Sequence, residues 1–405
     1  LDGLGSDFRY TTNIYRTGEI VDSVLYGDLI IRGVGDPSIS GFLYGEDRLY
    51  VFNHLAGQLK GSGIAKVSGS LIANIGYFTG QKYPKGWDWD DLSFYYGVEI
   101  APLSFNNNAV DLVVNANGEI GRKPEISWFP FNTDYVEFLN QQIITKPNTK
   151  YDENYLKYLG VNKFHLGSFL PQGYLEEESL AISDAHLYFL DSFEKLLNQS
   201  GIETSGRLET QNSDTAGNWH TYPIVAKHIS EPLGILVEWA NKESDNFYTE
   251  MMLRTLAAKT LGTPADFESG IRLVRAFLGS LELDTTYVIM KDGSGMASGN
   301  FTKTSILSEF LVKMQQHPEF ETFLRSMSVA GIDGTIAYRM KGTPMYNNFK
   351  GKSGYMSGVR TLSGYLKTKT GDRIIVSMAA NNFGGKVSPI DAIHEEILMY
   401  LYEKY

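Results

Sequence analysis

Two short motifs carry side chains that could act together on the end of a peptide. Ser244-Asp245-Asn246 precedes a predicted helix over 247–259, and Lys352-Ser353-Gly354 ends a predicted strand. A serine hydroxyl can pass a proton to a leaving amine, and an asparagine amide can hold a substrate carbonyl or amide. A lysine ammonium beside a serine hydroxyl suits a terminal carboxylate. The two motifs predict opposite sides of one substrate cleft.

Each motif also has a purely structural interpretation. Taken alone, Ser244-Asp245-Asn246 is explained by helix capping, since all three residue types cap N-termini well. Lys352 on an edge strand would discourage association with another sheet. In the functional interpretation, the same edge lets a peptide add as a further strand beside Lys352 and Ser353. Gly354 would then let the two backbones approach closely.

A second triplet, Lys369-Thr370-Gly371, resembles Lys352-Ser353-Gly354 but lies between two predicted strands and before Asp372. Its glycine most simply supplies a hairpin turn, so we predict a turn there. Gly33-Val34-Gly35 is no dinucleotide-binding fingerprint, because Asp36-Pro37 follows where a helix should begin.

Composition restricts the class of protein. The chain of 405 residues is 42% hydrophobic and 20% charged, which allows a sizeable core and two or three domains. Its formal net charge of −11 argues against binding to nucleic acid, which needs a basic surface. The absence of cysteine excludes thiol catalysis and Cys-ligated zinc, and the histidines show no metal-ligand spacing. No segment approaches the roughly 20 apolar residues of a membrane span.

The elements of the N-terminal half are predicted from hydrophobic patterns and turn residues. Strands are expected over 8–15, 25–31 and 66–75, with helices over 44–59 and 183–198. Between these helices, residues 83 to about 175 combine crowded aromatic side chains and asparagines with short strand-like pieces. This combination of aromatic residues, asparagines and short strand-like pieces indicates an inserted β-rich segment.

The C-terminal half has a clearer pattern. Residues 232–311 are mainly helical, interrupted by a sharply folded loop at Asp292-Gly293-Ser294-Gly295. Three strands are predicted over 347–352, 360–366 and 373–380. A terminal helix then begins at Ser388-Pro389, because proline is favoured at the first helical position.

Further segments form an ordered series with the two motifs. They are 4–12, 27–37, Trp87-Asp88-Trp89, Tyr95-Tyr96-Gly97, Asn106-Asn107-Asn108, 242–250, 292–296, 330–335, and 352–354 with 362–366. In order and spacing, this series resembles the class C low-molecular-mass penicillin-binding proteins, the serine D-alanyl-D-alanine carboxypeptidase/endopeptidase family. Any one segment is weak evidence, and their order makes the resemblance specific.

The resemblance implies three catalytic residues. Ser244 would assist proton transfer to the leaving D-alanine, Asn246 would hold the amide on the acyl side, and Lys352 would bind the substrate's terminal carboxylate. It also implies three substrate-binding residues. Ser353 would share the carboxylate, Gly354 would keep the strand open, and the Tyr355 N–H would contribute to the oxyanion hole.

The family's nucleophile is a serine in a Ser-x-x-Lys motif on a helix ahead of the segment that resembles 4–12. We therefore expect the nucleophile outside the chain, upstream of Leu1, and expect the chain to be a processed or trimmed product. Ser192-Phe193-Glu194-Lys195 fits the pattern literally, but its helix corresponds to another part of the family. We interpret it as a coincidence, with Ser192 and Lys195 expected on the more polar side of that helix.

The implied fold is an α/β (α+β) serine transpeptidase, or β-lactamase-like, domain whose antiparallel sheet is flanked by helices, with inserted β-rich domains. We place the penicillin-binding domain at residues 1–35 and 225–405. The inserted region is placed at 36–224, with a β-rich subdomain at about 83–175.

The implied function is that of a peptidoglycan D-alanyl-D-alanine carboxypeptidase/endopeptidase acting through a serine acyl-enzyme. Its partners would be stem peptides ending in D-Ala-D-Ala, D-Ala cross-links, and β-lactams as covalent inhibitors. Neither a metal nor an organic cofactor is expected. A periplasmic or other extracytoplasmic location is expected, with a signal peptide removed. Two alternatives stay open: a catalytically dead peptidoglycan-binding relative, and a β-lactamase-like hydrolase on the same fold.

Overall fold

The computed structural model describes residues 1–131, 133–213 and 221–405, which form two compact units. Unit 1 comprises Leu1–Arg9, Glu231–Leu256 and Phe267–Tyr405, and unit 2 comprises Tyr10–Ser230 and Ala257–Asp266. The domain limits predicted from the sequence, at 35/36 and 224/225, stay a prediction.

Unit 2 is built mainly from short strands. Its described strands are β1 (Thr11–Arg16), β2 (Glu19–Val21), β3 (Val24–Tyr26), β4 (Leu29–Arg32), β5 (Lys66–Val67), β6 (Leu71–Asn74), β7 (Ala109–Asn115), β8 (Glu125–Phe129), β9 (Glu137–Asn140), β10 (Ile143–Thr145), β11 (Tyr155–Lys157), β12 (Lys163–Leu166), β13 (Phe169–Pro171), β14 (Leu175–Ala181), β15 (Glu203–Thr204), β16 (Leu208–Gln211) and β17 (Ile224–Ile229). They pair in the orders β16-β6-β4-β1-β17, β15-β5-β3-β2, β14-β7-β8, β11-β12-β9 and β10-β13. Strands β7 to β13 lie within residues 83–175, and the delimitation of this segment as a β-rich subdomain stays a prediction.

Two helices pack in the core of unit 2. Helix α1 (Tyr50–Gly61) buries one apolar face that includes Phe52, whose ring stacks on Phe105 with centroids 4.1 Å apart. It begins later than predicted because the chain turns twice before it, with left-handed φ angles of 75° at Gly41 and 67° at Gly45. Helix α2 (Ala185–Gln199) agrees with the predicted helix within two residues.

The predicted strand over 66–75 is two strands, β5 and β6. Gly69 lies in the break between them, and a Cβ atom there would stand 2.3 Å from the carbonyl oxygen of Gly27. The close approach of two backbones therefore requires glycine and interrupts the strand.

Unit 1 combines helices with one antiparallel sheet. Its elements are α3 (Leu233–Lys242), α4 (Asn246–Leu261), α5 (Phe267–Ser280), α6 (Thr304–Met314), α7 (Phe320–Ser326), β18 (Ser328–Val329), β19 (Phe349–Met356), β20 (Val359–Lys367), β21 (Arg373–Asn381) and α8 (Ser388–Lys404). The sheet order is β18-β19-β20-β21. The three long strands and the terminal helix confirm the sequence prediction, and the α/β (α+β) fold class is confirmed with them.

The sheet of unit 1 presents part of an edge at the third motif. Strand β18 pairs only with Lys350 and Gly351 of β19, whereas β20 pairs with all of β19. Among the described residues, 352–356 therefore have a strand neighbour on one side only. The edge position predicted for Lys352 holds for this half of β19.

The second Lys-Thr-Gly triplet is a turn. It joins β20 to β21, the Gly371 N–H donates to the Thr368 carbonyl at 3.0 Å, and Gly371 has a φ of 94°. The predicted hairpin turn is confirmed. No described helix has the length and apolar character needed to cross a membrane.

Candidate active site

The second and third motifs meet in unit 1. The Lys352 ammonium donates to the Ser244 hydroxyl at 2.7 Å and to the Ser353 carbonyl at 2.8 Å. An ammonium has three N–H donors, so one remains after these two hydrogen bonds. Two segments 108 residues apart in sequence thus place a cation and a hydroxyl at one position.

The backbone before α4 turns Ser244 away from a capping role. The side chain that caps the helix is Asp245, whose Oδ1 accepts the Tyr248 N–H at 3.1 Å. Ser244 itself has a left-handed φ of 58°, which is uncommon for a residue other than glycine. Such conformations cluster at functional sites. The capping interpretation is therefore correct for Asp245, and Ser244 is free to contact Lys352.

The surroundings of Lys352 change its acidity. Burial of the ammonium, followed by repulsion from the Arg360 guanidinium, lowers the pKa of Lys352 to about 8. The lysine is thus mainly charged at neutral pH and loses its charge about two and a half pH units below a solvated lysine.

Ser353 is linked to a residue that the sequence analysis did not single out. The buried Ser353 hydroxyl donates to Thr335 Oγ1 at 2.7 Å, and the Thr335 N–H donates to Ser328 Oγ at 3.2 Å. The loop 330–335 was recognised as part of the family resemblance, but nothing in its sequence assigns its threonine to Ser353. Only the fold brings the two hydroxyls together.

Asn246, at the first position of α4, faces the loop around Ser294. Its Nδ2 lies 3.4 Å from the Met296 sulfur. This loop is tied to the helix by Glu250, whose Oε1 accepts the N–H groups of Gly293 at 2.8 Å and Ser294 at 2.7 Å. The sharply folded loop predicted at 292–295 is thus held one helical turn from Asn246.

Glu250 is another residue whose role the sequence analysis missed, because a glutamate near a helix N-terminus is explained by the helix dipole alone. It is fully buried. Burial first, and then repulsion by Asp292, raise the pKa of Glu250 to about 7, despite the two backbone N–H groups that favour its charged form. Asp292 is buried as well and accepts the Ala297 N–H at 2.6 Å.

Gly354 and Tyr355 continue the exposed half of β19. A Cβ atom at position 354 would lie 2.5 Å from the Thr361 hydroxyl on the neighbouring strand, so any other residue there would require this hydroxyl to move. Tyr355 is 66% exposed and pairs with Arg360 in the register of β19 and β20.

The literal Ser-x-x-Lys match lies elsewhere. Ser192 and Lys195 belong to α2 in unit 2, whereas Ser244, Asn246 and Lys352 belong to unit 1. Lys195 forms an ion pair with Asp191 at 2.7 Å. The expectation that Ser192 lies on the polar side of the helix is wrong, since Ser192 is fully buried. The Ser192 side chain is small enough to be buried against the core of unit 2. A hydropathy pattern counts any serine as polar and therefore misplaced it.

The acidic and histidine side chains of the described residues form no cluster of three that could hold a metal ion.

Comparisons with known proteins identify the family of the chain. Residues 1–397 match the sequence profile of the family described as "D-Ala-D-Ala carboxypeptidase 3 (S13) family". The chain is 26% identical over 390 residues to the D-alanyl-D-alanine carboxypeptidase DacB of Haemophilus influenzae, covering 94% of this chain and 77% of that protein. It is also 26% identical over 427 residues to a D-alanyl-D-alanine carboxypeptidase of an Actinomadura species, covering 100% of this chain and 74% of that protein.

Solved structures share the fold. Penicillin-binding protein 4 (dacB) from Haemophilus influenzae superposes with a TM-score of 0.85 at 23% identity, covering 99% of this chain and 88% of that chain. A structure of the same protein complexed with a β-lactam gives a TM-score of 0.79 at 22% identity, with 99% and 87% covered.

Proposed function

The chain belongs to the D-Ala-D-Ala carboxypeptidase 3 (S13) family, and from this membership we propose how its site works. The protein is a serine-type D-Ala-D-Ala carboxypeptidase of peptidoglycan, a hydrolase. The observation that carries the proposed mechanism is the 2.7 Å hydrogen bond from Lys352 to Ser244, which joins the second and third motifs at one position.

Lys352 and Ser353 bind the terminal carboxylate of the substrate. The N–H of Lys352 that remains after its two hydrogen bonds is the donor to this carboxylate. In this structure the Ser353 hydroxyl donates its proton to Thr335. To donate to the carboxylate this proton rotates, and Thr335 donates to Ser353 in return. The ammonium and hydroxyl then give charge-assisted hydrogen bonds to the same anion.

Ser244 carries the proton to the leaving amine. Because its oxygen accepts from Lys352, its own O–H stays available as a donor. The serine nucleophile of the acyl-enzyme forms an ester bond with the carbonyl carbon of the penultimate D-alanine. The C–N bond to the last D-alanine breaks, and the Ser244 proton moves to the leaving nitrogen, to be replaced from the nucleophile. Water then hydrolyses the ester.

Asn246, Gly354 and Tyr355 position the acyl part of the substrate. The Asn246 amide holds the substrate amide on the acyl side. The substrate backbone lies along the one-sided half of β19, beside Gly354, in the manner of an added strand. The Tyr355 N–H, together with a second backbone N–H, stabilises the oxyanion.

β-Lactams enter the same site and acylate the same serine, in keeping with the β-lactam complex of the Haemophilus influenzae relative. Stem peptides ending in D-Ala-D-Ala and D-Ala cross-links are the substrates, so carboxypeptidase and endopeptidase cleavage use one cleft. Since peptidoglycan lies outside the cytoplasmic membrane, the enzyme acts in an extracytoplasmic compartment, the periplasm in a cell with two membranes.

Lys352→Ala tests this assignment, with Lys369→Ala as the matched control in the other triplet. The protein is expressed from its whole reading frame and assayed for labelling by fluorescent penicillin and for release of D-alanine from a D-Ala-D-Ala peptide. We expect Lys352→Ala to lower kcat/KM by about 10²–10³-fold and Lys369→Ala to leave it unchanged. Undiminished labelling of Lys352→Ala, or an equal loss in both variants, would reject the site. Slow release of the bound penicillin separates this enzyme from a β-lactamase.

A further inference from the structure

A cavity in unit 2 that opens to solvent is lined by a buried lysine that the mechanism does not use. The cavity has a volume of about 150 Å³. This is about ten times the ~10–15 Å³ that a single water needs, so it has room for a molecule of several non-hydrogen atoms. Its lining residues are Lys82, Tyr83, Leu92, Glu99, Lys157, Leu159, Gly160, Ser183 and Asp184.

Lys157, the last residue of β11, is only 5% exposed. Its backbone N–H donates to Ser93 Oγ, and its ammonium lies 6.0 Å from the centre of the Phe164 ring. Within the described part of the chain this ammonium has no hydrogen-bond acceptor and no carboxylate at ion-pair distance. A buried charge without a partner is costly, so buried ammoniums are normally paired. Lys157 is one of the residues that line the cavity, so an anionic ligand bound there would pair with its ammonium.

The opposite charge is concentrated on two carboxylates that also line the cavity. Glu99 is 3% exposed and lies 3.2 Å from the Lys82 ammonium, which also reaches Asp184 at 2.5 Å. The other Glu99 oxygen accepts the Ala185 N–H at the start of α2 at 3.3 Å. One lysine therefore serves two carboxylates. The two lysines and two carboxylates of the lining sum to zero net charge, but both carboxylates pair with Lys82 and neither lies at ion-pair distance from Lys157.

We propose that this cavity is a binding site for a small zwitterionic amino acid, whose carboxylate meets Lys157 and whose ammonium meets Glu99 and Asp184. Leu92 and Leu159 give the cavity apolar lining for a short side chain. A molecule of several non-hydrogen atoms fills the cavity, which matches a free amino acid with a short side chain. D-Alanine is the first probe because, given the proposed function, it is the leaving group of the reaction. The charge pattern itself does not depend on that function.

The partial desolvation of Lys157 is consistent with the binding of an anion. Burial lowers the pKa of Lys157 to about 8, with Lys82 lowering it further and Glu99 and Asp184 opposing the shift. Binding of a carboxylate would favour the charged lysine and raise this pKa. The change can be followed directly by NMR of the protein carrying ¹³C-labelled lysine, with no substitution required.

The experiment measures binding of D-alanine, L-alanine, glycine and acetate by calorimetry to the whole protein, and to Lys157→Met and Lys352→Met. We expect saturable binding of alanine, a loss of at least tenfold in affinity in Lys157→Met, and retained affinity in Lys352→Met. Preference for D-alanine assigns the site to the reaction product, and equal binding of both isomers assigns it to small amino acids in general.

Three results would overturn the proposal. They are absence of saturable alanine binding, affinity lost in Lys352→Met but kept in Lys157→Met, and acetate binding as tightly as alanine. If Lys157→Met does not fold, the ¹³C-lysine titration decides, since an unchanged Lys157 pKa at saturating D-alanine contradicts the site. Failure of the proposed function would appear separately, as undiminished activity of Lys352→Ala.

Discussion

At the residue scale, the site depends on how each hydroxyl is oriented. Ser353 can donate a hydrogen bond to a carboxylate only if its proton turns away from Thr335. The Thr335 hydroxyl can then donate to the Ser353 oxygen, so the two hydroxyls stay hydrogen-bonded. A serine in an exposed turn would be free to rotate, whereas the buried Ser353 is restricted to partners that the fold provides. Thr335 is therefore a positioning residue rather than a catalytic one.

Thr335→Val removes this hydroxyl while keeping the shape of the side chain. We expect kcat/KM for a D-Ala-D-Ala peptide to fall roughly tenfold, since a hydrogen bond of this kind contributes about 1–1.5 kcal/mol. The loss should appear mainly in KM, because the affected group binds the carboxylate. Thr335→Ser should restore most of the activity. A loss that Thr335→Ser fails to restore would point to packing instead.

The charge of Lys352 sets a pH limit on substrate binding. Its pKa is lowered to about 8, so the ammonium is present below this pH and is lost above it. Affinity for a peptide with a free carboxylate should therefore fall about tenfold per pH unit above pH 8. Binding measurements between pH 6 and 10 test this, with a peptide ending in a carboxamide as the control. A flat profile up to pH 10 for the free carboxylate would contradict the assignment.

At the element scale, hydrogen bonds and contacts hold the start of α4 against the loop 292–296. Glu250 accepts two backbone N–H groups of this loop, and the loop's Met296 contacts Asn246. The position of the second motif is thus coupled to a buried carboxyl group one helical turn away.

Glu250 makes stability depend on pH. Its folded-state pKa is raised to about 7 from an ordinary value of 4.5. The folded protein then holds the proton more tightly than the unfolded chain. The free energy of unfolding of unit 1, which contains Glu250, should therefore fall as pH rises from about 4.5 to about 7, by about 3 kcal/mol, and this loss is complete above pH 7.

Glu250→Gln should remove this dependence while keeping an oxygen that accepts the loop N–H groups. Urea unfolding at pH 5 and pH 7.5 measures it, and the variant should lose less stability between these pH values than the wild type. Glu243→Gln, an exposed carboxylate at the end of α3, is the control and should behave as the wild type. A wild-type pH dependence in Glu250→Gln would refute the assignment.

At the scale of the whole molecule, the two units have separate cores. The core around Phe52 and Phe105 belongs to unit 2, and the core around Phe349 and Leu362 belongs to unit 1. We therefore expect each unit to unfold with its own free energy, so that one value does not describe the chain.

Phe52→Ala should destabilise unit 2 by about 3–5 kcal/mol, because it leaves a cavity among stacked rings. Hydrogen exchange followed by mass spectrometry should show faster exchange in peptides of α1 and α2. Peptides of β19 and β20 should keep their wild-type exchange. Phe349→Ala should give the reverse pattern. Equal acceleration in both units after either substitution would show a single cooperative unit.

Much of the fold could be predicted from sequence because it is local. The strand β19 alternates in burial along the chain, and Pro389 fixes the start of α8. The hairpin at Gly371 follows from its turn residues. Predictions failed where a structural feature depends on a residue far away in sequence. The single strand predicted over 66–75 is broken at Gly69, because the backbone of Gly27 lies against it.

The sequence by itself determined which side chains are present in the two motifs, their order along the chain, and the family that they resemble. The tertiary structure alone decided that Asp245 caps α4 while Ser244 contacts Lys352. It also decided that Thr335 is hydrogen-bonded to Ser353, and that Lys157 is buried without a carboxylate at ion-pair distance. The physical reason is that hydrogen bonding and desolvation act between atoms that are close in space. Residues 108 positions apart, such as Ser244 and Lys352, become close only after the chain has folded.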